Sequence, residues 1–323
     1  MRLPLVTVLG ECVADAFTVP APAPGELALR VLPGGGPANT AVALARLGTP
    51  ARFLGRLSGD VFGRLFRAHL EASGVDLTAA VRASEPSTLA VAELDAEGRA
   101  AYSFHARGTA DWQWTADELA ATDLGSTACL HSGSLALVRE PGGAVVEEFL
   151  ARAAATATIC VDPNVRPLLV DVEVYRERLP RWCAFADILR LSEDDLELLL
   201  PSATVERACD AWHAAGVPLV VITRGERGAV ASLRGERVAV PSPPTDVVDT
   251  VGAGDSFTAG FLHHLGAKGL LGGRLTELRA DDVFDACAFA SQVAALTCGV
   301  VGPNPPWAGQ VPLPASAAGR AAG

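Results

Sequence analysis

Apolar residues follow this chain in two rhythms that take turns. Short apolar runs, "LVTVLG" (5–10), "ARFLGRL" (51–57), "TACLHSGSL" (127–135), "ATICVDP" (157–163), "ADILRLS" (186–192) and "VPLVVITRG" (217–225), have the length of buried strands. Between them, "ANTAVALARLG" (38–48), "DVFGRLFRAHLEASG" (60–74), "GAVVEEFLARAAA" (143–155) and "TVERACDAWHAAG" (204–216) carry helical spacing, three of them closed by glycine. Strand and helix in alternation predict βαβ units: an α/β fold with a doubly wound, mostly parallel sheet and helices on both faces. Ligands of such sheets bind beyond the carboxyl ends of the strands.

Two segments break the rhythm. Residues 12–33 are proline-rich around "ELALRVL", and residues 87–107 read as two alternating strands about a "DAEG" turn. Together they predict a small separate sheet, a lid, inserted in one α/β domain over residues 1–310. The tail 311–323 is expected to be disordered.

Composition narrows the function. The chain has 323 residues, half of them hydrophobic (50%), and a net charge of −11. Without a basic run, neither nucleic acid nor an anionic membrane is an expected partner. The seven cysteines form no CxxC pair, which argues against disulfides and zinc and for the cytoplasm. "MRLPLVTVLGECVAD" meets Glu11 and Asp15 too early to read as a signal peptide. Lys268 is the only lysine and stands in "GAKGL", so a GxxxxGK[ST] phosphate loop is excluded. Backbone amides and arginines are left to handle any phosphate.

"DTVGAGDSFTAGFL" (249–262) offers such amides. Phe257, Phe261 and Leu265 recur at helical spacing and predict a helix that opens at a glycine turn. Gly252 and Gly254 permit a sharp turn and a close approach, and the free N–H groups of a helix start make a pocket for an anion. An acid in a first turn is also a common stabiliser, contributing about 0.3–1 kcal/mol. That bland role does not account for the two glycines. As a general base for an attacking alcohol, Asp255 would complement the anion pocket, because a loose phosphoryl-transfer transition state asks the base mainly to orient the hydroxyl.

These residues resemble the C-terminal signature of the ribokinase (PfkB) family of sugar kinases. "GGGPANTAVALARLG" (34–48) and "LGRLSGDVFGRLF" (54–66) resemble its N-terminal signature, and "GECVADAF" (10–17), "DPNVRP" (162–167) and "TRGERGA" (223–229) follow in the family's order. The resemblance covers nearly the whole chain and implies a ribokinase-like sheet with a β-sheet lid, ATP and Mg2+. It implies Asp255 as catalytic base, with Gly252, Ala253 and Gly254 as the anion hole. Asp15, Asn39 and the backbone of Gly34 and Gly35 would bind sugar hydroxyls, with Arg166 and His105 as further substrate contacts. Thr223, Gly225 and Gly228 would lie by the nucleotide.

The sequence departs from the family in three places. Where members often carry Asn-x-x-Glu, "LSEDDLELL" supplies Ser192 by the nucleotide and Asp195 as an outer-shell magnesium residue. A monovalent-cation loop would use carbonyls near Asp249 and Val251. Its C-terminal partner segment, "TCGVVGPNPP", is proline-rich where serine is common, which argues against K+. "GECVADAF", "DPNVR" and "AALTC" are similar to the fructokinase branch. Fructokinases and 2-keto-3-deoxygluconate kinases often place arginine two residues after an aromatic, and "YSFHARG" has Ala106 there, which leaves no cation for a sugar acid. A neutral ketose, fructose foremost, is therefore the expected acceptor. The alternatives are 2-keto-3-deoxygluconate, ribose or a nucleoside. Outside the enzyme class, the alternative is a sugar- or nucleotide-binding regulator without transfer. A homodimer through the lid is the expected assembly.

Overall fold

Successive residues of each central strand point into two different cores. Val8, Cys129, Cys160, Ile188 and Val221 belong to one; Leu9, Leu130, Val161, Leu189 and Ile222 belong to the other. That pattern is the mark of a sheet covered on both faces. The computed structural model describes residues 3–94 and 100–312; the "DAEG" turn and the tail from 313 onward lie outside them.

The central sheet has eight strands. In spatial order they are Glu236–Val240, Ala229–Leu233, Leu219–Thr223, Ile188–Ser192, Thr158–Asp162, Thr127–Gly133, Leu5–Leu9 and Ala51–Leu54. From Leu219–Thr223 to Ala51–Leu54 every neighbouring pair is parallel. The two strands at the other edge are antiparallel. The chain runs from Leu5–Leu9 to one side and later places Thr127–Gly133 on the other. The strand order therefore reverses at this point, and a crevice opens beyond the carboxyl ends.

Four strands form the predicted small sheet, in the order Ala28–Gly34, Val13–Val19, Leu89–Leu94 and Ala100–His105. "ARFLGRL" was expected as one strand and is two. Gly55 divides it, because a side chain there would run into the Phe53 ring. Ala51–Leu54 joins the central sheet, and Arg56–Ser58 pairs with Val81–Ala83. Trp112 and Trp114 are buried packing residues.

Helix Ala253–Ala267 carries Phe257, Phe261 and Leu265 into the first core, as their spacing predicted. It crosses helix Ala280–Cys298 closely enough that a Cβ on Gly260 would stand 2.9 Å from Ala290 Cα and 3.1 Å from Val293 Cγ2. Both obstacles belong to a packed helix, so neither gives way easily. Gly260→Ala should therefore destabilise the protein by about 1–3 kcal/mol through overpacking. Denaturant unfolding should show a lower midpoint with an unchanged slope.

Candidate active site

Gly252 precedes helix Ala253–Ala267 in the left-handed region, at φ 78°. A side chain there would also meet Pro303, at 2.8 Å, so glycine is required twice over. The N–H groups of Gly252, Gly254 and Asp255 make no hydrogen bond among the described residues. The Ala253 N–H does not join them: it closes the turn on the Thr250 carbonyl at 3.2 Å. The free amides of the helix start are thus those of Gly254 and Asp255, with Gly252 before them.

Asp255 is held from the side. Asn39, in helix Gly36–Arg46, donates its Nδ2–H to Asp255 Oδ2 at 2.9 Å. A Cβ placed on Gly36 would lie 3.1 Å from Asp255 Oδ1 and 2.9 Å from Asn164 Nδ2. The free carboxylate oxygen and the Asn164 amide therefore share the space that this glycine leaves. At Gly34 a side chain would overlap the Asp15 carboxylate. Gly35 has φ 99° and lets the chain pass 2.7 Å from the Glu11 carbonyl, measured from a would-be Cβ. The "GGG" run thus brings strand Val13–Val19, with Asp15, and helix Ala253–Ala267, with Asp255, to one place.

Three charges meet there. Burial raises the Asp15 carboxyl to about 6, with Arg166 opposing and Asp255 adding to the rise. Burial also raises Asp255, against the Asn39 hydrogen bond and the positive charges of Arg166 and Arg190. Arg166 makes no ion pair among the described residues; its N–H donates to the Tyr175 hydroxyl at 3.3 Å. That bond comes from its backbone amide; its guanidinium donates from Nη1 to the Val165 carbonyl at 3.1 Å and acts on both acids through its charge.

Ser192 and Asp195, expected as nucleotide and outer-shell magnesium residues, have a structural part of their own. They form the capping box of helix Glu193–Leu199. Asp195 Oδ2 accepts from the Ser192 amide at 3.1 Å and its hydroxyl at 2.6 Å, while Oδ1 accepts from the Val165 amide at 2.8 Å. Asp195 is buried, with both oxygens occupied. It holds the "DPNVR" loop. No group of three or more His, Cys, Asp or Glu residues among those described could hold a metal. A site made of protein ligands alone is thus not found among the described residues, while one or two carboxylates with waters and phosphates suffice for magnesium.

His105, expected as a substrate contact, does not share the face of Asp15. The register Asp15↔Ala90↔Phe104 sets Phe104 on the face of Asp15 and His105 on the opposite face, exposed. Thr223 stands at the end of Leu219–Thr223 and accepts a hydrogen bond from Arg190 at 3.0 Å. Gly225 and Gly228, at φ 54° and 82°, shape the turn that follows. Asp249 links two segments: its carboxylate accepts from the amides of Val251 at 3.0 Å and Gly302 at 2.8 Å. The loop of Asp249 and Val251 and the proline-rich segment are thus neighbours. Asp162, Asn164 and Arg190 lie in this crevice, and sequence reading gave none of them a role. Their signal was a charge, or an amide, at the end of an apolar run. Asn164 takes φ 41°, outside the usual region for a side-chain-bearing residue.

The family profile described as pfkB family carbohydrate kinase matches residues 4–308. A fructokinase of Rhizobium leguminosarum bv. trifolii is 38% identical over 249 residues, 76% of this chain and 76% of that protein. The crystal structure of fructokinase with bound ATP from Xylella fastidiosa superposes with a TM-score of 0.84 at 26% identity, covering 93% of both chains. A double-mutant fructokinase of Vibrio cholerae O395, in its fructose-, ADP- and potassium-bound form, gives a TM-score of 0.79 at 25% identity over 94% of both chains.

If Asp195 is a cap and a loop anchor, Asp195→Ala should cost about 1–3 kcal/mol of stability by orphaning the Val165 amide. The magnesium concentration that half-activates the enzyme should stay as in the wild type, which a titration against activity checks.

Proposed function

Because the chain belongs to the pfkB family of carbohydrate kinases, we propose that it transfers the γ-phosphoryl group of ATP to the terminal hydroxymethyl of fructose. The observation that carries this reading is the position of Asp255. One side of it faces the free amides of a helix start, and the other faces Asp15 across the Gly34–Gly36 turn. Anion pocket and polyol pocket meet at one carboxylate.

In the proposed reaction Asp15 accepts sugar hydroxyls, since a carboxylate takes two donors at once. Asp255 Oδ1, left free by Asn39, orients the attacking hydroxyl and accepts its proton. Its raised proton affinity makes it a stronger base than an exposed aspartate. The amides of Gly254 and Asp255 meet the charge that spreads over the migrating phosphoryl. Arg166 reaches over both acids and neutralises the pair. Magnesium would arrive on the phosphates of the nucleotide, supplying charge neutralisation there.

A neutral acceptor is favoured by Ala106, which is buried with its carbonyl bound to Arg139 at 2.8 Å and offers no cation for a sugar acid. The nucleotide base has an apolar platform in Val247, Val248, Val251, Val300 and Val301, which are exposed beside Gly252. Phe17, Val19 and Tyr102 are exposed on the small sheet, and we place a second copy of the chain against them. Light scattering should give twice the mass of the chain, and Phe17→Asp with Tyr102→Asp should return it to one.

A coupled assay across a sugar and nucleoside panel tests the acceptor; turnover with fructose should exceed that with every other member. Asp255→Asn should lower kcat by about 10²–10⁴ while preserving the unfolding midpoint, since the amide keeps the shape and removes repulsion with Asp15. Both acids work ionised, and burial raises both. Activity should therefore be full above their proton affinities and fall as the pH drops through about 6, seen as an acid limb in kcat/KM for fructose.

A further inference from the structure

Arg190, in strand Ile188–Ser192, is almost wholly buried, and apart from its charge acting on Asp255 it takes no step in the reaction above. One terminal nitrogen, Nη1, donates to Asp162 Oδ2 at 2.7 Å, and the other, Nη2, donates to Thr223 Oγ1 at 3.0 Å. A methyl group on Gly254 would stand 3.0 Å from each of these nitrogens, so the guanidinium lies against the turn itself. Its central carbon is 5.7 Å from the Phe257 ring centre. Gly254 is thus glycine for a reason separate from φ: the arginine occupies the place of its side chain.

Electrostatics makes this placement costly. The start of a helix is its positive end and disfavours a nearby cation. Burial opposes the charge as well, and a well-packed apolar pair often stabilises as much as a buried ion pair. Asp162 offsets the cost without explaining why a charge stands here at all.

We propose that Arg190 is a positioning residue for phosphoryl transfer: it props the Gly252–Asp255 turn from within and fixes a positive charge behind the amides that meet the migrating phosphoryl. The inference rests on the reading of this crevice as a phosphotransfer site. Every neighbouring charge fits it. Asp162 faces Arg190 from strand Thr158–Asp162, Asp195 from helix Glu193–Leu199, and Asp255 from helix Ala253–Ala267. His131, from strand Thr127–Gly133, is kept neutral at pH 7 by burial and then by Arg190, its proton affinity pushed down to about 4. Asp255 in turn faces Asn39, Arg166, Arg190, Asp15 and Asp162. Loss of Arg190 removes one of the two cations that keep Asp255 ionised, so its protonation would begin at higher pH.

The test uses the full chain as wild type, Arg190→Gln, Arg190→Lys, and the double variant Asp162→Asn with Arg190→Met. Each is assayed with fructose and ATP across pH, with thermal unfolding in parallel. Arg190→Gln should lose roughly 10²–10³ in kcat, the effect of removing one group aimed at developing charge. Its KM for fructose should hold, and the acid limb of kcat/KM should move to higher pH. Arg190→Lys keeps the charge and should keep the acid limb in place. The double variant leaves no buried charge unpaired; it should fold, retain the low kcat, and return the acid limb to its wild-type position. If Arg190→Gln does not fold, the other two variants carry the test. A purely structural arginine would move only the unfolding midpoint. Wild-type kcat in a folded variant that lacks the guanidinium overturns the proposal. A wild type that phosphorylates no sugar sinks the functional reading instead. Calorimetry with ATP and with ADP then decides Arg190: loss of the preference for ATP in the variants supports it, and an unchanged preference overturns it.

Discussion

A buried carboxylate in the same helix turn as unpaired amides is the constraint on which this site depends. In the first turn of helix Ala253–Ala267, Asp255 sits among N–H groups that make no bond within the described residues, while burial resists its negative charge. Helix dipole, Arg166 and Arg190 favour that charge; Asp15 and Asp162 oppose it. Burial prevails, so the carboxylate holds a proton more readily than an exposed aspartate. The amides keep an unmet appetite for an anion.

Much of the surrounding structure serves to keep that balance fixed. The glycines at 34, 35 and 36 are there to make room: for the Asp15 carboxylate, for the Glu11 carbonyl, and for the space shared by Asn164 and Asp255. Asp195 ties the loop of Asn164 and Arg166 to helix Glu193–Leu199 through the Val165 amide. Pro303 packs on Gly252, and the Asp249 carboxylate bridges the two segments that flank the turn. Each tie is local and small. Together they hold side chains from five separate stretches of chain within one crevice.

Legibility in the sequence followed the range of the interaction. The strand and helix runs were readable because alternation and helical spacing reflect burial of nearby residues. Gly252, Gly254 and Asp255 were readable because their functional logic lies within four residues of chain. Ser192 and Asp195 were legible as a pair but not in their structural part: the tie to the Val165 amide, thirty residues away, is visible only in the fold. Which face of the small sheet His105 takes was not legible, because a single residue of register moves a side chain to the other face. Arg190 gave only the weak signal of a charge in an apolar strand.

The sequence by itself determined a doubly covered parallel sheet, a small second sheet, a glycine turn at a helix mouth, and the absence of any lysine that could serve as a phosphate clamp. Pattern and composition suffice for these because they are properties of neighbouring residues. Tertiary structure alone decided which acid stays free, which is spent on a cap, and which arginine lies beneath the turn. Those outcomes depend on distances between strands remote in the chain, where a shift of about 1 Å makes or breaks a hydrogen bond.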